Sequence, residues 1–313
     1  MPTFHGVHKP QDETSSLYSF SSQTFTNCGE TGKNGPTLSD CTSDANYSDS
    51  WTDNTDYFNV QTQGIQEWTV PQTGTYRIEA YGAQGGPGNF SLVGGKGARM
   101  RGDFSLAQGD VIKIVVGQMG ETTSDGDGAG GGGGTFITKS PYNSNSSILV
   151  IAGGGGGTGK AHWNHGFNGL SGLTGTSGGD SYPENGGGSG GTSGNGGTNP
   201  GGRNIGGSGG GGFFSDGYDA PNRNSDGGTA FTSNPTGGDG SSNGDGGYGG
   251  GGGGSTSCGY GGGGGGYSGG GGGGWSNGCG GSGGGGGSYN SGSNTSNSEG
   301  ARESHGQLII TLQ

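Results

Sequence analysis

Several short stretches carry residue types that could do chemistry, and each lacks a part that the chemistry requires. Residues 154–157 are four glycines followed by Thr158, Gly159, Lys160 and Ala161, an approach to a phosphate-binding loop. That loop needs a hydroxyl directly after the lysine to hold magnesium, and Ala161 has none. His162 and His165 stand three apart around Trp163, the spacing of half a metal site. No cysteine or carboxylate cluster adjoins them, so they read as solvent-facing imidazoles. Asp125 and Asp127 fit the first two positions of a calcium loop, but Ala129 and Phe136 fall where later ligands belong. Asp44, Asp49, Asp53 and Asp56 are spaced too widely for such a loop, and residues 237–242 lack the sixth-position aspartate of a calcium β-roll. Arg101-Gly102-Asp103 spells an adhesion tripeptide inside a predicted strand, where a protruding loop would be needed. The 5 histidines supply no set of nucleophile, base and orienting group. We expect no catalysis, no cofactor and no bound metal.

Aromatic residues are more informative. Trp163, Phe213, Phe214, Tyr218 and Trp275 punctuate the glycine runs of the back half. On loops joining rigid rods they could recognise sugars or protein surfaces; alternatively, such aromatics pack a seam beneath the rods. We take these five as candidate binding residues. Four cysteines, Cys28, Cys41, Cys258 and Cys279, permit at most two disulfides. The later two could staple neighbouring rods, and a reduced state is the alternative.

The elements that position these residues are unusual. Of 313 residues 91 are glycine, and only 23% are hydrophobic. Glycine is concentrated: 24 fall in residues 1–152, 66 in 153–300 and one in 301–313. A chain of this kind either remains disordered or satisfies its backbone without a hydrophobic core. A bundle of polyglycine II rods does the latter, since only glycine lets extended threefold helices approach and exchange amide hydrogen bonds. At a rise of about 3.1 Å per residue the region suffices for about a dozen rods of about a dozen residues.

The front half reads as strands. Residues 75–82 alternate, with Tyr76, Ile78 and Ala80 on one face, and 98–106, 111–117, 135–137 and 148–152 follow. No stretch shows a helical period of useful length. The fold class is therefore all-β: a jelly-roll-like antiparallel β-sandwich with an inserted polyglycine II bundle. We divide the chain into an N-terminal docking tail (1–14), a sandwich (15–152), a glycine-rich bundle (153–300) and a C-terminal strand returning to the sandwich (301–313).

Charge and targeting narrow the class further. A net charge of −12 with only 12 lysines and arginines argues against nucleic acid. No apolar run approaches the roughly 20 residues of a bilayer span. The first residues show no basic segment followed by an apolar one, so no export leader is read there.

Ordered blocks of this sequence resemble the glycine-rich extracellular region of the anaplastic lymphoma kinase and leukocyte tyrosine kinase family. They are Phe25-Thr26-Asn27-Cys28-Gly29, the run 64–76 with 80–86, residues 115–121, the glycines 130–134 before Thr135-Phe136, and 149–157. The resemblance implies a tumour-necrosis-factor-like sandwich with a polyglycine II insertion, and it implies that Cys28 pairs with Cys41. Glycine-rich bundles of this type are also similar to phage tail-fibre tip adhesins. Lacking a kinase domain and a leader, the chain fits a virion surface or tail-fibre protein that recognises a host receptor, a glycan or a protein. The alternatives are a self-assembling fibre, sheath or capsid subunit, oligomeric with other virion subunits, and a secreted receptor-like ectodomain that binds a protein ligand.

Overall fold

The computed structural model describes residues 15–313 apart from 90, 124–127, 161–165, 184–185, 202–205, 257 and 277–278, and leaves aside the side chains of 276 and 279. In chain order the elements are β1 (Ser22–Phe25), α1 (Leu38–Ser43), β2 (Phe58–Thr62), β3 (Ile65–Thr69), β4 (Gly74–Tyr81), β5 (Gly97–Leu106), β6 (Val111–Val115), β7 (Thr135–Lys139) and β8 (Ile148–Ala152). Two-residue ladders follow, β9 (Gly159–Lys160) with β10 (Gly166–Phe167) and β11 (Trp275–Ser276) with β12 (Cys279–Gly280). The chain ends on β13 (Tyr289–Asn290), β14 (Ser293–Arg302) and β15 (Gln307–Leu312).

Two antiparallel sheets form the sandwich. One has the order β1-β15-β4-β5-β14 and the other β13-β8-β7-β6-β3-β2. The apolar face of β4 buries Tyr76, Ile78 and Ala80, while Arg77 and Glu79 face outward. Leu308 and Ile310 of β15 and Met100 of β5 join them against Trp68, Ile112, Ile114 and Val150 of the other sheet. Each fully buried aliphatic here contributes about 1.5–3 kcal/mol. Across the outer face Arg77 grips Asp103 with two bonds of 2.8 and 3.0 Å, and Arg99 reaches Glu79 at 2.5 Å.

The glycine runs are an ordered array built from backbone hydrogen bonds. In residues 129–134 the amides of Ala129 and Gly132 donate to Thr158 and Gly155, those of Gly130 and Gly133 to Glu121 and Gln118, and those of Gly131 and Gly134 to Gly252 and Gly249. Every third amide thus faces the same neighbour. The same step of three recurs in 207–213, where Gly207, Gly210 and Phe213 donate to Gly273, Gly270 and Tyr267. In 261–267, Gly261, Gly264 and Tyr267 donate to Gly281, Gly284 and Gly287. Close approach excludes side chains: a Cβ on Gly132 would lie 2.4 Å from the carbonyl oxygen of Gln84.

Composition places the edge of this array differently from the structure. Residues 82–88, 92–98, 117–121 and 128–134 also lie in it, as direct continuations of sandwich strands. The returning strands begin at β13, well before residue 301. The extended glycine segments are shorter than the dozen residues expected of rods, with bends or turns at 213–215, 248–250 and 266–268 between them. The N-terminal tail, 1–14, lies outside the described residues.

Candidate functional site

A second apolar cluster fastens the array to the outer face of the six-stranded sheet. Ile65, Val115, Phe136, Ile148 and Ile151 of the sheet meet Phe213, Phe231, Tyr248 and Tyr267 from turns of the array. Phe136 stacks on Phe231 at 5.2 Å, and Phe231 on Phe213 at 5.0 Å. Tyr248 is fully buried and donates its hydroxyl to Asn234 at 3.0 Å, and burial pushes its ionisation upward. This seam claims one candidate binding residue: Phe213 is 0% exposed and has no surface to offer. A glycine-flanked aromatic reads alike at a seam or a tip, because sequence does not say which end of a rod it occupies.

Polar contacts close the junction. The loop closed by the Cys28–Cys41 disulfide contains Gly32 and Lys33, whose carbonyls accept the amides of Tyr248 and Gly237. The Lys33 ammonium pairs with Asp239 and stands 4.0 Å from Asp245. Burial, together with the neighbouring Asp245, holds the Glu121 carboxyl above its usual range. His305, in the turn between β14 and β15, accepts the Met119 amide on Nδ1 at 3.1 Å. Burial and the nearby Arg302 hold this imidazole below its usual pKa.

At the opposite end of the array, remote from the strands that feed it, four segments meet. The Lys160 amide donates to Gly259, the Gly280 amide to Cys258, and the Tyr182 amide to Ser282. Here Phe167 and Tyr182 pack ring to ring at 4.5 Å. Tyr182 is 41% exposed and Trp275 is 46% exposed. An aromatic side chain held outward on a hydrogen-bonded base is pre-organised for contact, since little entropy is lost when a partner arrives. Trp275 was among the residues singled out in the sequence; Tyr182 was not, because it lies outside the long glycine runs.

The remaining candidates scatter. Tyr218 is exposed on a flank, its backbone bonded to Gly197 and Gly209, and Phe214 packs edge-on to Phe213 beside Gly194. Trp163 and both neighbouring histidines lie outside the described residues, as do Asp125 and Asp127. The Cys258 carbonyl accepts the amide of Gly280, the residue after Cys279, whose own side chain is outside the described residues. The phosphate-loop likeness fails on geometry: the amides of residues 154–157 are consumed by Gly265, Ala83, Leu170 and Gly262. Asp103 of the adhesion-like tripeptide is committed to Arg77 within β5.

No family model matches the chain. It is similar to the leukocyte tyrosine kinase receptor of Mus musculus, 38% identical over 103 residues, which cover 33% of this chain. The matched stretch is 11% of that receptor, so the chain corresponds to a small part of its length. Among the described residues no helix is long and apolar enough to cross a membrane.

Proposed function

We propose that the chain is a receptor-like extracellular module that works by binding a protein ligand, not by catalysis. The observation that carries this reading is the similarity to a receptor tyrosine kinase over 103 residues. The virion, tail-fibre and self-assembling-subunit expectations draw no support from that similarity, and the receptor-like alternative is the one it favours. We read the array as polyglycine II; the three-residue step of its hydrogen bonds and the exclusion of Cβ atoms support that reading. Its role is to hold surface side chains at fixed positions on a base that does not need a hydrophobic core.

The exposed aromatics at the far end are the surface we assign to the ligand. Tetramers of the full chain, screened against an array of secreted proteins, are expected to capture a partner. Replacing Tyr182 and Trp275 together by alanine is expected to weaken that capture by at least about tenfold, as loss of an aromatic hot spot does. The thermal transition should be unchanged. Capture that survives the double substitution contradicts the assignment of this surface, and failure to capture any secreted protein contradicts the ligand-binding reading.

A further inference from the structure

Both free edges of the five-stranded sheet carry an Asn-X-Ser/Thr tripeptide. Asn46-Tyr47-Ser48 lies against β1, one edge, where Gln23 of that strand donates to the Asn46 carbonyl at 2.8 Å. Asn294-Thr295-Ser296 lies within β14, the other edge. We infer that Asn46 and Asn294 are acceptors for asparagine-linked glycans. This rests on the extracellular reading above, because the reaction takes place in the secretory route.

Geometry supports the assignment beyond the tripeptides. Asn46, Asn294 and the hydroxyl residue Ser48 are exposed, and Ser296 is half-buried at the strand surface, its hydroxyl accepting from Arg99 at 3.2 Å. Each acceptor amide is already oriented: Asn46 Nδ2 donates to Asp44 at 2.8 Å, and Asn294 Nδ2 to Asp103 at 3.0 Å. A primary amide has two N–H groups, and the glycosylated amide keeps one. The orienting bonds therefore survive modification while the second nitrogen valence carries the sugar. In the reaction the Nδ2 atom forms a bond to C1 of an oligosaccharide held on a lipid pyrophosphate. The C1–oxygen bond to pyrophosphate breaks, the lipid pyrophosphate leaves, and the amide proton passes to base.

The position also has a physical use. An edge strand presents unpaired amides and carbonyls to other chains, and a bulky polar group there blocks sheet extension. β14 is rich in serine and asparagine with few charges, and its register shifts twice along β5. Glycans at both margins close this sheet to pairing and leave the aromatic far end of the array uncovered. Two other tripeptides are set aside. The one at Asn89 includes Phe90, outside the described residues. At Asn145 the side-chain oxygen accepts the Tyr267 hydroxyl at 2.9 Å, and Ser147 is fully buried.

The test uses the full chain from its native source and the full chain directed through a eukaryotic secretory route by an added leader. Peptide-N-glycosidase treatment in heavy-oxygen water, followed by peptide mass spectrometry, reads each site. Labelled aspartate is expected at positions 46 and 294 in both preparations. Ser48→Ala and Ser296→Ala should each abolish one label while leaving both members of the Asn46–Asp44 and Asn294–Asp103 bonds in place. An unlabelled secreted chain overturns the inference while leaving the extracellular reading intact. Labelling only with the added leader overturns both, since it shows that the native chain does not travel this route.

Discussion

Gly64 has a φ of +87°, its amide donates to Pro36, and a Cβ there would lie 2.1 Å from the Tyr248 ring. Backbone strain and a side-chain clash therefore coincide at one residue of the seam. Gly64→Ala is expected to destabilise the fold by about 2–4 kcal/mol in denaturant titration. Wild-type-like stability would show that the junction gives way easily. His305 tests the same junction through pH. Its folded pKa is depressed below the ordinary 6.5, so its contribution is fully present above that value. It is lost as pH falls toward the folded pKa, because the unfolded imidazole binds its proton first. Stability measured from pH 8 to pH 5 should fall in the acid half, and His305→Gln should flatten that part of the profile. The disulfide closes a loop with a sequence separation of 13, and reducing it should cost about 3 kcal/mol.

At the scale of elements, the array divides glycines into two kinds. Gly132 sits where backbone approaches from another rod, whereas Gly175 has nothing within 4 Å of a built Cβ. Gly132→Ala should cost about 3 kcal/mol or more, and Gly175→Ala should stay within about 0.5 kcal/mol of wild type. Equal effects in thermal melts would contradict a close-packed array. The rods end where side chains take over the hydrogen bonding: Asp180 accepts the Gly190 amide, Asp216 that of Ala230, and Asp219 that of Gly227. Strands β4 to β8 were readable because Tyr76, Ile78 and Ala80 and their counterparts alternate or run apolar. β14 was not, since Ser293–Arg302 has no apolar face and its one strand partner is β5. The helix α1 shows no readable period because it is only six residues long and is set by the Thr37–Asp40 capping box. The participation of 82–88, 92–98, 117–121 and 128–134 in the array was hidden because these glycine-rich stretches sit between the apolar strands of the front half.

Across the whole molecule, the sandwich and the array are continuous: β4, β6 and β8 each run directly into a rod, and one aromatic seam joins the two bodies. Function is less legible than fold because the far-end surface is assembled from residues distant in sequence, with Phe167, Tyr182 and Trp275 brought together only by rod packing. The binding proposed at that end requires the array to be a fixed body in solution. Amide hydrogen exchange on the full chain measures this directly. The account predicts that the amides of 129–134, 154–158, 207–213 and 261–267 exchange as slowly as those of β4 and β5, because they donate to neighbouring backbones. Exchange in these rods at the rate of unstructured polyglycine, with β4 and β5 still protected, would contradict it.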